Sequence, residues 1–172
     1  AAPMEAGRLA RDTAALLYAA GAPSHAAPML FDGRQVSLAG AAYAAATQTD
    51  NLDAHDGYNP VKGHIGVAII PALLALAEQS DDIGGDEALT LITLGYEIAG
   101  RAGLALHAMA CDYHTSGAWN ALGVAAVTAR MSTALVADLA RVDGDVHDLG
   151  VGRELLDFTG DAVVEPNAEG EE

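Results

Sequence analysis

The residues best suited to chemistry lie in one stretch, Asp50-Asn-Leu-Asp-Ala-His-Asp-Gly-Tyr-Asn-Pro-Val-Lys-Gly-His64. It gathers Asp53, His55, Asp56, Lys62 and His64 within twelve residues and interrupts an otherwise apolar, alanine-rich region. Lys62 is the only lysine in the chain. Its compact ammonium can hold a carboxylate, or lose a proton when buried. An imidazole accepts or donates a proton near neutral pH, which suits it to general acid/base work. A second group, Asp112-Tyr-His-Thr-Ser-Gly117, sets His114 just ahead of a long helix, and His64 stands likewise before another. The positive end of a helix dipole favours the neutral, proton-accepting ring. If the helices bring these two loops together, the result is a pocket with two imidazoles, one ammonium and carboxylates. The competing reading is a polar connection whose charges face water.

Other chemistries fit less well. Asp53, His55 and His64 could ligate a divalent ion, with His114 completing the set, but the spacing fits no standard zinc pattern and no metal is expected. Cys111 lies near His114 without a third member for nucleophilic catalysis, and a free cysteine is ordinarily packing. His25, His107 and His147 read as surface or core positions, and Trp119 and Tyr96 as core.

Helices must position these loops. Apolar spacing predicts them over residues 4–20, 37–52, 65–79, 87–106 and 115–140. The first sets Leu9, Leu16 and Leu17 along one side, and Gly21 closes it. Asp32-Gly33 between short apolar runs predicts a two-stranded ribbon within residues 28–37, after which Ser37 caps the second helix. Pro71 either kinks the third helix or marks its first turn. Glu97 and Arg101 are spaced for a surface ion pair. Gly117, Gly123 and the many alanines of the last helix allow close backbone approach. The expected fold class is all-α, a bundle of about five helices with one small β-ribbon. Residues 1–142 read as one domain and 143–172 as an acidic, partly disordered, flexible tail with a short helical turn near 153–158.

Composition narrows the function. At 172 residues and 51% hydrophobic, the chain can bury one domain's core, which excludes wholesale disorder. It carries 24 Asp+Glu against 8 Lys+Arg, a net charge of −16. Such a surface repels phosphate backbones and anionic lipid, so neither nucleic-acid nor membrane binding is expected. A single cysteine excludes an internal disulfide. The longest apolar run, residues 67–77, is far short of the roughly 20 residues a span requires, and no secretory pattern opens the chain. The expectation is a cytoplasmic protein. Abundant carboxylate with one lysine is also a halophilic composition, because at molar salt the Debye length falls to about 3 Å and self-repulsion is screened.

Three motifs, in order, carry a resemblance. Leu52-Asp-Ala-His-Asp-Gly57 with Lys62-Gly-His-Ile-Gly-Val-Ala-Ile-Ile-Pro-Ala-Leu-Leu-Ala-Leu-Ala-Glu78 is the first. Leu94-Gly-Tyr-Glu-Ile-Ala-Gly-Arg101 and Tyr113-His-Thr-Ser-Gly-Ala-Trp-Asn-Ala-Leu-Gly123 follow. Together they resemble the MmgE/PrpD family, which includes 2-methylcitrate dehydratase, cis-aconitate decarboxylase and iminodisuccinate epimerase. Phe31-Asp-Gly-Arg-Gln-Val-Ser37 resembles the family's short ribbon, and the likeness runs from about Arg11 to about Met131.

The resemblance implies a homodimeric, mostly helical lyase that works on a small polycarboxylate such as 2-methylcitrate, with no metal or organic cofactor. The reaction it implies is acid/base elimination, as hydration/dehydration or decarboxylation. His64 and His114 match the family's two catalytic histidines. Asp53 and Asp56 match its Asp-x-Asp-Asp-Thr motif, in which His55 here replaces an acid and Gly57 the threonine. Ile65 stands where proline is common, and the spacing from the acidic motif to His64 is about one residue longer than in the decarboxylase pattern. The expected catalytic residues are therefore His64, His114 and Asp53, with Lys62, His55 and Asp56 binding substrate. The family's first helices, its other active-site lysines, its tyrosine and its α/β lid have no counterpart in the resemblance, so a truncated relative is expected. The alternative is a catalytically inactive helical dimerisation module or a decayed gene product.

The charge reading makes its own prediction. The melting temperature should rise as salt is raised from dilute to molar; a melting temperature indifferent to salt contradicts a halophilic surface.

Overall fold

The computed structural model describes residues 2–80, 83–110 and 115–143. In chain order these form α1 (Ala2–Leu17), β1 (Ala26–Pro28), β2 (Gln35–Ser37), α2 (Leu38–Asn51), β3 (Gly57–Tyr58), β4 (Gly63–His64), α3 (Gly66–Ala77), α4 (Gly85–Met109) and α5 (Gly117–Asp143). Short 3-10 turns at Pro23–His25 and Asn59–Val61 precede β1 and β4. The expected five helices and ribbon are present. The chain divides into two compact units, Ala1–Leu135 and Val136–Glu172. Of the second, only the last turns of α5 are described. His114, Cys111, His147, the turn near 153–158 and the tail from residue 144 lie outside the described residues.

Alanine, rather than leucine, brings the first helices together. Ala14 of α1, Ala27, Met29 and Val36 of the first ribbon region, Ala41 and Ala44 of α2 and Ala75 of α3 form one buried cluster. Leu9, Leu16 and Leu17, expected on the apolar side of α1, are exposed instead. The reason is distance: methyl-sized side chains let the backbones of α1 and α2 approach, and leucines on that face would hold them apart. A second cluster has larger members, Val61, Ile65, Ile69, Leu73, Leu91, Ala99, Trp119 and Val127, gathered from α3, α4, α5 and the turn before β4. Here Gly123 is required, because a Cβ on it would stand 2.7 Å from the Gly95 carbonyl oxygen of α4 and 2.9 Å from the Ala99 Cβ. At Gly117, the other expected close-approach position, a Cβ would meet nothing nearer than 3.7 Å among the described residues.

Local signals set most element ends. Ser37 caps α2 as expected, its hydroxyl accepting from the Gly40 amide at 3.2 Å. Pro71 lies inside α3 and is buried, so it does not mark the first turn. α4 runs on to Met109, past its expected end. β1 and β2 pair antiparallel with Ala27 opposite Val36. The turn joining them is wider than a two-residue Asp-Gly hairpin and places both Phe31 and Gly33 at positive φ. A second ribbon, β3 with β4, forms where only a loop was expected. No helix among the described residues is long and apolar enough to cross a membrane.

Charge ties α1 to the first ribbon. Arg34 Nε donates to Asp32 Oδ1 at 2.6 Å and its Nη2 to Asp12 Oδ1 at 2.9 Å, while Arg11 Nε lies 3.2 Å from Asp32 Oδ2. The Arg34 hydrogen bond holds the Asp32 carboxyl down to about 2, below its ordinary 3.8. A depressed carboxyl stabilises the fold fully above its unfolded value and loses that contribution as pH falls through the folded one. Asp32→Asn should therefore lower stability at neutral pH, and its gap to the parent should close between pH 3.8 and about 2 in urea titrations.

Candidate functional site

The site is built on the connection between α2 and α3, and its backbone is held in conformations that side chains resist. Asp53, Asp56 and Lys62 have φ of 57°, 62° and 47°, three of the four non-glycine residues at positive φ among those described. Aspartate tolerates the left-handed region because its carboxylate can bond locally, whereas lysine pays about 1–2 kcal/mol there. Such strain persists where the surroundings over-determine it. The determinants here are identifiable. β3 pairs with β4 through Gly57 opposite His64 and Tyr58 opposite Gly63. The Asn120 Nδ2 of α5, nearly fully buried, donates to the His64 carbonyl at 2.7 Å. Gly63 lies so close to α5 that a Cβ on it would stand 2.5 Å from Ser116 Oγ and 2.7 Å from the Trp119 ring.

Three side chains meet on this frame. The His55 and His64 rings lie with centroids 3.7 Å apart, tilted by 49°. His55 Nδ1 is 3.2 Å from Asp50 Oδ1 and 3.9 Å from Asp53 Oδ1. The Asp50 approach is close but off the line a hydrogen bond needs, so this buried ring nitrogen has no aligned partner. Asp50, His55 and His64 each offer a nitrogen or oxygen, all within 4.8 Å of one another, and these residues could hold a metal. Asp53, which was expected in the set, is 95% exposed, against 63% for Asp50 and 21% for His55.

Asp56 faces elsewhere. Its Oδ2 accepts from the Tyr96 hydroxyl of α4 at 2.7 Å. Burial, aided by this bond, pushes the Tyr96 hydroxyl up to about 12, so it stays a donor. Both line a cavity of about 180 Å³ with Thr49, Ala54, Gly66 and Ile70. Lys62 makes no ion pair among the described residues. The arginines with described side chains differ: Arg8, Arg11, Arg34, Arg101 and Arg130 all pair with carboxylates.

Three contributors were not singled out from the sequence: Asp50, Tyr96 and Asn120. Asp50 carried a signal, being an acid in the last turn of a helix, where the dipole disfavours it. Asn120, a buried amide in an alanine-rich helix, carried another. Tyr96 read as core, and its ring is indeed half-buried.

Fold and site together define a helical domain whose α2–α3 loop presents imidazole, carboxylate and an ammonium that is unpaired among the described residues. Residues 4–141 match the MmgE/PrpD N-terminal domain, and the chain belongs to the MmgE/PrpD family. The match continues past Met131, where recognisable motifs end. Comparison with curated proteins and with solved structures gives no match. Membership supports a general lyase-like role.

The left-handed lysine is testable apart from any activity. Lys62→Gly should be more stable than Lys62→Ala by about 1 kcal/mol, read as a higher denaturant midpoint, since only glycine adopts that φ freely.

Proposed function

We propose that this chain carries the acid/base part of a lyase site for a small polycarboxylate such as 2-methylcitrate. The reaction is β-elimination. A base takes the proton next to a carboxylate, its electron pair forms the new double bond, and an acid protonates the departing hydroxyl to release water. His64 and His114 are the acid/base pair, and Asp53 orients an imidazole or binds a hydroxyl. Lys62 holds a substrate carboxylate, with His55 and Asp56 as secondary contacts. The observation that carries this reading is the approach of the His64 and His55 rings, centroids 3.7 Å apart, on the same short loop as Lys62, which is unpaired among the described residues. The contact of Ser116 with Gly63 also supports it, because Ser116 follows His114 by two residues. A homodimer is part of the same reading, carried by family membership. The carboxylate-rich composition supports a high-salt cytoplasm as its setting.

One observation favours a second reading. A substrate with two or three carboxylates needs several cations, and five of the six cationic side chains described are already paired. On that reading the chain is an inactive helical module kept for dimerisation.

Turnover of 2-methylcitrate and cis-aconitate by the purified chain at molar salt separates the two. His64→Ala and His114→Ala should each cost about 10²–10⁴ in rate with helical circular dichroism unchanged. Lys62→Gln should raise KM more than it lowers kcat. No turnover, together with no ligand-induced rise in melting temperature, identifies the inactive module.

A further inference from the structure

We propose that Asp50, His55 and His64 form a binding site for a divalent transition cation of the zinc class. The donor set is the first argument. Two imidazoles and one carboxylate suit zinc and its neighbours, whereas magnesium and calcium prefer oxygen alone. Geometry is the second. Ligands on a tetrahedral ion at about 2.0–2.1 Å lie about 3.3 Å from each other. His55 Nδ1 and Asp50 Oδ1 are already 3.2 Å apart. The whole set lies within 4.8 Å, so closing on an ion asks for about 1.5 Å or less of side-chain movement. Asp50 is largely exposed and His64 half-buried, so both are free to make it.

Two further observations point to a cation rather than to a fortuitous cluster. His55 Nδ1 is buried beside a carboxylate with no aligned hydrogen bond among the described residues, a ring nitrogen placed where a metal would use it. Asp50 sits in the last turn of α2, where the helix dipole opposes a carboxylate. An ion there is attracted by both the carboxylate and the helix end. Three protein ligands leave at least one position open, to water or to a substrate carboxylate.

The site shares His64 with the lyase reading, and its consequence for catalysis rests on that reading. A cation on the His64 ring takes the lone pair that a general base needs, so occupation inhibits elimination. Binding itself needs no activity.

The test is calorimetric titration of zinc into the full chain, freed of metal by a chelator, in chloride-free high-salt buffer. Cobalt serves as a visible-absorption probe of tetrahedral geometry. One equivalent should bind in the micromolar range. Asp50→Asn and His55→Gln should each weaken it by about tenfold or more, with circular dichroism unchanged, while His25→Gln on the distant turn should leave it intact. Absence of zinc binding, or binding that survives both substitutions, overturns the site. Where the chain turns substrate over, zinc should inhibit the parent and lose potency in Asp50→Asn. Turnover without zinc binding overturns the site alone, and zinc binding without turnover overturns the lyase reading alone.

Discussion

A single hydrogen bond ties the chemistry to the core: Asn120 Nδ2 to the His64 carbonyl, 2.7 Å long. Its net worth is modest, about 1 kcal/mol. Its importance is positional. It fastens the backbone of β4 to α5, and the contacts of Gly63 with Ser116 and Trp119 permit no sliding. With β4 fixed, the pairing of Gly57 with His64 fixes β3, and the short segment before β3 brings His55 onto the His64 ring. Everything that could do chemistry here is therefore referred to the large apolar cluster around Trp119, although it stands on a loop.

That arrangement explains where strain is tolerated. Asp53, Asp56 and Lys62 adopt left-handed conformations on a loop fixed at both ends, by α2 at one and by β4 at the other. Glycine would serve at position 62 with less strain. The chain instead spends its one lysine there. Where every arginine with a described side chain is engaged by a carboxylate, a lysine kept in a disfavoured conformation and unpaired among the described residues is available to an incoming anion.

Much of this was legible in the sequence, and the failures have physical causes. The helices, the Ser37 cap and the first ribbon follow from periodicity and turn chemistry, which act over a few residues. The second ribbon did not announce itself, because two residues per strand carry no alternation. One of its strands is held by Asn120, fifty-six positions away. Leucine periodicity misled for α1: the packed face is the alanine face, since the distance between helices is set by the smaller side chains. Within the site, composition located the loop and its ionisable groups. It did not distinguish Asp50 from Asp53 as the carboxylate nearer His55, because that choice depends on the left-handed turn at Asp53.

On the two readings proposed, the same geometry serves proton transfer and cation binding for one reason. A useful base is a ring nitrogen whose lone pair is not already engaged, and a useful ligand is the same thing. What separates the roles is the neighbouring charge. Asp50 beside His55 favours a positive species such as a metal ion. Lys62 favours a negative one, such as a carboxylate. A cation drawn to the aspartate side and an anion drawn to the lysine side would both be referred to His64. The β3–β4 pairing holds the backbone between them. On the lyase reading, the occupant of that ring's lone pair, rather than any change of fold, then determines whether elimination proceeds.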